Sequence, residues 1–242
     1  MTSSLQGKVA IVIGGTGYLC STLAAAMKQA GMRVAILDKK KPALTTDLYL
    51  KGDVSSKESL ESCRDQILRR YGRIDVLLNG AGTNAPTPFL KITTAEIDRI
   101  LKTNLIGVLY GCQVFGETMI RRKSGSIVNF ASVSSGPPLS KAFVYSMAKA
   151  GVVNLTQNLA REWAPFHVRV NALRPGFFPT EWSRTHFIDR KRKAKILDHT
   201  PLARFGRPEE LIGAVLWLVS DAASFVTGSV VTVDGGFTAM TI

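Results

Sequence analysis

The sequence predicts a single α/β domain spanning 1–242, built on a doubly wound parallel sheet of about seven strands with helices on both faces. Three observations carry this. Short apolar runs alternate with helix-length segments along the whole chain. The runs are continuously apolar rather than alternating, which marks strands buried on both faces. At 242 residues the chain can form one sizeable core, and no internal repeat, linker or low-complexity stretch divides it.

The elements follow in order. Lys8–Ile13 reads as a buried strand, followed by a glycine turn and a helix to about Ala30. Arg33–Leu37 is a second strand and Leu48–Lys51 a weaker third. Ser56–Tyr71 reads as a helix with Ser55 or Ser56 as its cap. Asp75–Leu78 is a strand, Thr94 to about Lys123 covers two helices, and Ser126–Phe130 is a strand. A helix over Val144–Trp163 leads to a strand at Arg169–Leu173. Pro208–Ser220 is helical, and Ser229–Val233 is the last strand. Two connections stand out. Only about nine residues, Lys39–Asp47, join the second and third strands, fewer than a helical crossover needs, and Pro42 shortens any helix there. The longest irregular stretch, about Pro175–Pro201, is expected to hold a substrate lid at about 177–201.

Composition excludes several classes. No stretch approaches the ~18–20 apolar residues of a membrane span, and the N-terminus lacks the pattern of a signal peptide. Cys20, Cys63 and Cys112 have neither disulfide-framework nor zinc spacing, and His167, His186 and His199 show no metal pairing, so no metal is expected. A reducing cytoplasm fits this cysteine usage. The formal charge of +13 is spread over short clusters, without a basic tail or a nucleic-acid motif. It reads as a solvated basic surface that also suits an anionic small molecule.

Chemistry concentrates at two places. Gly14-Gly15-Thr16-Gly17-Tyr18-Leu19-Cys20 follows the first strand and opens the first helix, so backbone N–H groups can reach a pyrophosphate at the helix N-terminus. A P-loop is excluded because no Gly-Lys-Ser/Thr follows. Cys20 stands where a last glycine is common, and reads as a small buried thiol rather than a redox switch. Asp38, ending the second strand, can accept hydrogen bonds from both ribose hydroxyls and repels a 2′-phosphate. Lys39, Lys40 and Lys41 pull the other way, so NAD is favoured and NADP stays possible. Further on, Tyr145 and Lys149 share a helix face at i and i+4, with Ser132 thirteen residues upstream of the tyrosine. A free phenol titrates near ~10, and bringing it to neutrality takes roughly 4 kcal/mol of differential stabilisation. The Lys149 ammonium and an oxidised nicotinamide can supply that, while Ser132 holds the substrate oxygen.

These landmarks, with Asn79-Gly80-Ala81-Gly82, Asn104, Pro175-Gly176 through Thr180 and Val233-Asp234-Gly235-Gly236, resemble the short-chain dehydrogenase/reductase family in order and spacing over nearly the whole chain. The resemblance implies a Rossmann fold and an oxidoreductase with Asn104, Ser132, Tyr145 and Lys149 as the catalytic set, Asn104 keeping a relay water behind Lys149. It implies that Lys149 also holds the nicotinamide ribose, that Asp53 and Val54 bracket the adenine, and that Asn79, Gly80, Ala81 and Gly82 line the strand end. Pro175, Gly176, Phe178 and Thr180 would hold the nicotinamide carboxamide. The segments Gly176–Glu181, Asp198–Gly206 and Phe225–Phe237 are similar to those of sugar-acid dehydrogenases of the mannonate/fructuronate and gluconate type. The alternatives are an NADPH-dependent 3-oxoacyl thioester reductase and a non-catalytic dinucleotide-binding regulator. Arg184 is the expected partner of a substrate carboxylate, His186 a lesser candidate, and Arg190–Lys195 a solvated helix face that only steers. A homotetramer is expected, pairing the helices at Leu105–Lys123 and Val144–Trp163 through Val152, Val153 and Leu155–Leu159, with Phe237–Ile242 at a second interface.

Overall fold

A seven-stranded, all-parallel sheet in the order β3-β2-β1-β4-β5-β6-β7 forms the centre of the molecule. The computed structural model describes residues 4–42 and 46–240, and the side chains of Trp182 and Arg184 also lie outside the described set. The strands are β1 (Val9–Ile13), β2 (Arg33–Asp38), β3 (Leu48–Lys51), β4 (Val76–Asn79), β5 (Gly125–Phe130), β6 (Val168–Pro175) and β7 (Val230–Val233). β1 and β4 are buried along their whole length, as their unbroken apolar runs require.

Two apolar layers cover the sheet. On one face, α1 (Tyr18–Gln29) and α8 (Ile212–Val219) pack Leu23, Met27, Val215 and Leu218 against Val12, Val34 and Leu78. On the other, α2 (Lys57–Tyr71), α4 (Gly107–Arg122) and α5 (Phe143–Trp163) pack Leu60, Ile67, Phe115 and Val152 against Ile11, Leu77 and Ile127. α3 (Thr94–Leu101) runs into α4 through a π turn at Lys102–Ile106. Strand order reverses between β1 and β4, so the crevice of this sheet opens above Ile13 and Asn79.

The short β2–β3 connection contains no helix among the described residues; 43–45 lie outside them. Asp47 and Thr46 anchor its far end, since the Val34 N–H donates to Asp47 Oδ2 at 2.9 Å and Thr46 Oγ1 donates to the Val34 carbonyl at 3.0 Å. The 175–201 stretch departs from its irregular expectation. It carries α6 (Glu181–His186) and α7 (Arg190–Asp198), capped where Thr180 accepts the Ser183 N–H and Asp189 accepts the Arg192 N–H. Each cap supplies an acceptor for an end-of-helix N–H, and that lets a short polar segment become helical.

Candidate active site

The glycine turn sits at the switch point. Gly14 has φ +74°, and a Cβ there would lie 2.7 Å from the Ala81 backbone, so only glycine lets the β1 turn pass the β4 turn. α1 begins at Gly17 without a side-chain cap, leaving its first N–H groups open to an anion. Thr16 offers its N–H (3.1 Å) and its hydroxyl (2.7 Å) to Asp38 Oδ2, which ties the end of β2 to the glycine turn. A dinucleotide fits this donor set: free amides for a pyrophosphate beside a fixed carboxylate for a ribose. Lys39 Nζ pairs with Asp53 Oδ2 at 2.9 Å, an exposed ion pair of the weak surface kind. Asp53 also accepts from the Ser55 N–H and hydroxyl, closing the turn before α2. Val54 is buried against Gly107. Asn79 faces the core, where its amide donates to Asn129 Oδ1 at 2.8 Å and Asn129 donates on to Thr156, so Asn79 reaches the crevice only by its backbone.

Cys20 and Gly80 explain each other. The Cys20 thiol fills the space that a side chain on residue 80 would occupy. Burial pushes this thiol up to about 12, which makes it a packing group.

Ser132, Tyr145 and Lys149 line one cavity of about 490 Å³ together with Gly17, Tyr18, Leu19, Gly80 and Gly82 below and Pro175, Gly176, Phe178 and Thr180 beside them. Lys149 is 2 % exposed; its Nζ donates to the Phe130 carbonyl at 2.6 Å and stands 5.6 Å from the Tyr145 ring centre. Burial lowers this lysine to about 8. Burial also raises the Tyr145 phenol, and its hydrogen bond with Ser132 offsets only part of that. The phenol is therefore raised by desolvation with Ser132 opposing, so any lowering has to come from charge brought in beside it. Asn104 lies in the π turn. Its amide donates to the Thr83 and Ile100 carbonyls at 2.7 and 2.8 Å, and its Oδ1 accepts the Thr83 N–H at 3.2 Å. Asn104 thus braces the loop after β4, where Thr83 and Asn84 line the cavity, a role the sequence reading did not assign.

The cavity roof comes from the 175–201 stretch: Ser183, Phe187, Ile188 and Arg192. Arg184 is on α6, and its side chain lies outside the described residues. The Arg190–Lys195 run is not a uniformly solvated face. Arg190, Lys191, Lys193 and Lys195 are exposed, but Arg192 turns inward and is half-buried. Its Nη1 and Nη2 donate to the Ser140 hydroxyl and carbonyl at 2.7 and 2.8 Å, and its guanidinium stacks 4.3 Å from the Phe187 ring centre. A signal for this was available. Asp189 as the cap fixes the register of α7, and buried Ile196 lies four residues beyond Arg192, on the same helix face.

Comparison with known proteins adds to this geometry. A family model described as enoyl-(acyl carrier protein) reductase matches residues 19–238. An uncharacterized oxidoreductase of Bacillus subtilis, UxuB, is 37% identical, covering 98% of this chain and 96% of its own. The 3-oxoacyl-[acyl-carrier-protein] reductase FabG of Thermotoga maritima is 32% identical over 96% of this chain and 98% of its own. A gluconate 5-dehydrogenase from Burkholderia cenocepacia, solved in complex with NADP and tartrate, superposes with a TM-score of 0.93 at 29% identity, covering 99% of both chains.

Proposed function

This chain belongs to the short-chain dehydrogenase/reductase family and is an NAD(P)-dependent oxidoreductase, and on that premise we propose that it interconverts a secondary alcohol and a ketone on a sugar acid of the mannonate/fructuronate or gluconate type, with NAD preferred. One observation carries the substrate class: among the described residues that line the cavity, Lys149 and Arg192 are charged and no carboxylate is present. A cavity of that charge favours an anion. Similarity to a gluconate 5-dehydrogenase supports the same class.

The bound nicotinamide supplies the hydride acceptor or donor. The chain's own residues handle the oxygen and its proton. Ser132, at the end of β5, holds the substrate oxygen beside the phenol. Tyr145 takes or gives the proton as general base or acid. Because burial raises this phenol, the Lys149 ammonium has to be charged and close when the proton leaves. For the cofactor, the Asp38 carboxylate pre-oriented by Thr16 favours two free ribose hydroxyls over a 2′-phosphate.

A second reading, NADPH-dependent reduction of a 3-oxoacyl thioester, is favoured by the Thermotoga relative and by the basic surface. A panel of hexonates, ketohexonates and 3-oxoacyl thioesters, each assayed with NAD(H) and NADP(H), separates the two. Highest kcat/KM on a hexonate or ketohexonate is expected, and highest kcat/KM on a thioester would overturn the sugar-acid reading. We propose further that the enzyme is a cytoplasmic homotetramer. Its three cysteines are buried free thiols, which suits a reducing compartment.

A further inference from the structure

We propose that Arg192 anchors the substrate carboxylate from the cavity roof, and so sets a preference for sugar acids over neutral polyols. This rests on the sugar-acid reading above and names the residue that would enforce it. Arg192 borders the same cavity as Ser132, Tyr145 and Thr180, on the lid side of the reacting oxygen. Lys149, the other cation of the described lining, is committed below the tyrosine to the Phe130 carbonyl. The guanidinium is held ready for a planar anion. Phe187 fixes its plane by stacking, and Ser140 takes one N–H from each terminal nitrogen. A guanidinium has five N–H donors. The Nε donor is buried and has no partner among the described residues, so it is the donor that an incoming carboxylate can satisfy, together with a remaining N–H of a terminal nitrogen, in a two-pronged contact. A buried, unsatisfied donor is unfavourable until an acceptor arrives. Burial also pulls the Arg192 pKa below its ordinary value, with Asp189 opposing, and an incoming carboxylate relieves that strain on the charge.

The same contacts could make Arg192 only a tie between α7 and the Ser140 turn, so the test has to separate anchoring from lid closure. The full-length enzyme is assayed as wild type, Arg192→Ala, Arg192→Lys and Ser140→Ala. Substrates are D-gluconate and D-mannonate, each against its neutral polyol, D-sorbitol or D-mannitol. In parallel, calorimetry titrates each hexonate onto the enzyme–NADH complex. Arg192→Ala is expected to lower the acid-to-polyol ratio of kcat/KM about tenfold or more, through KM rather than kcat, and to weaken hexonate binding by a similar factor. Arg192→Lys keeps the charge without the fork and is expected to recover only part of the loss. Ser140→Ala removes the hydroxyl acceptor but keeps the carbonyl that holds Nη2, so it is expected to cost much less of the ratio than Arg192→Ala. If wild type favours the acids but Arg192→Ala leaves the ratio within about threefold, or Ser140→Ala loses as much as Arg192→Ala, the anchor is overturned and the sugar-acid reading stands. If wild type neither turns over nor binds the acids better than the polyols, the sugar-acid reading falls and the anchor falls with it.

Discussion

At the residue scale, three side chains carry most of the proposed chemistry, and each makes a measurable prediction. Tyr145→Phe removes only the transferable proton, so turnover should fall at least ~10²-fold while cofactor affinity, read by nucleotide fluorescence, stays nearly unchanged. Activity within threefold of wild type would refute the assignment. Asp38→Ala should narrow the advantage of NAD over NADP in kcat/KM, since the carboxylate is what repels a 2′-phosphate. A wild-type preference for NADPH would instead give the decision to the exposed Lys40 and Lys41. Lys149 ties function to stability. Its folded-state value of about 8 lies below the ordinary 10.5. Between those limits the unfolded chain binds more protons than the folded one, so stability rises with pH there. Below pH 8 the buried ammonium costs roughly 3 kcal/mol. Lys149→Met should therefore gain most over wild type in urea unfolding below pH 8, with the gap shrinking as pH climbs towards 10.5. A gap that does not change with pH would contradict this, and activity should be lost throughout.

At the element scale, the join between β1, α1 and β4 depends on a matched pair. Cys20 on the first turn of α1 occupies the volume that Gly80 leaves empty at the end of β4. Gly80→Asn alone should overpack this join and destabilise by about 1–3 kcal/mol. Cys20→Gly combined with Gly80→Asn should restore most of that, giving a coupling energy that chemical denaturation of the double-mutant cycle reads directly. Additive effects would show that the two positions are independent. The 175–201 stretch shows how an element can be legible only in hindsight. Its caps, Thr180 and Asp189, are visible in the sequence, but six- and nine-residue polar helices carry too little periodic apolar signal to stand out.

At the scale of the whole molecule, the proposed tetramer needs apolar surface that the monomer does not use. Val152 is fully buried and serves the monomer, while Val153, Leu155 and Leu159 are half-buried, Leu155 and Leu159 packing partly against the core and keeping apolar surface for the expected interface. The exposed apolar side chains lie elsewhere on and beside α5: Met147 is 65% exposed, and Phe143, itself exposed, packs edge-on against Phe89 at 5.2 Å between ring centres. Leu202, hydrogen-bonded to the turn after β7, and Phe225, ahead of β7, are also exposed. Of the expected second interface, Thr241 and Ile242 lie outside the described residues, and Phe237 is buried. Sedimentation velocity at micromolar concentration should give a tetramer, and Phe143→Ser with Met147→Glu should shift it to a smaller species. A wild-type monomer would contradict the proposal.

Grouping Ser132 with Tyr145 and Lys149 rests on the family resemblance, while the fold class, the order of strands and helices along the chain and the Tyr145/Lys149 helix pair were legible in the residues themselves. Those features are local. Apolar runs, a glycine turn after a strand and an i,i+4 pair on a helix carry their geometry in their spacing. The rest of the site depends on groups that only folding brings together. The direction of the Tyr145 shift follows from burial, Lys39 pairs with Asp53 fourteen residues away, and Asn104 is hydrogen-bonded by Thr83 twenty-one residues away. Arg192 is the clearest case. Four other cations surround it in the Arg190–Lys195 run, and composition treats them alike. Packing of α7 through Ile196, a ring from Phe187 and an acceptor from Ser140, fifty-two residues away, single out one guanidinium and turn it into the cavity.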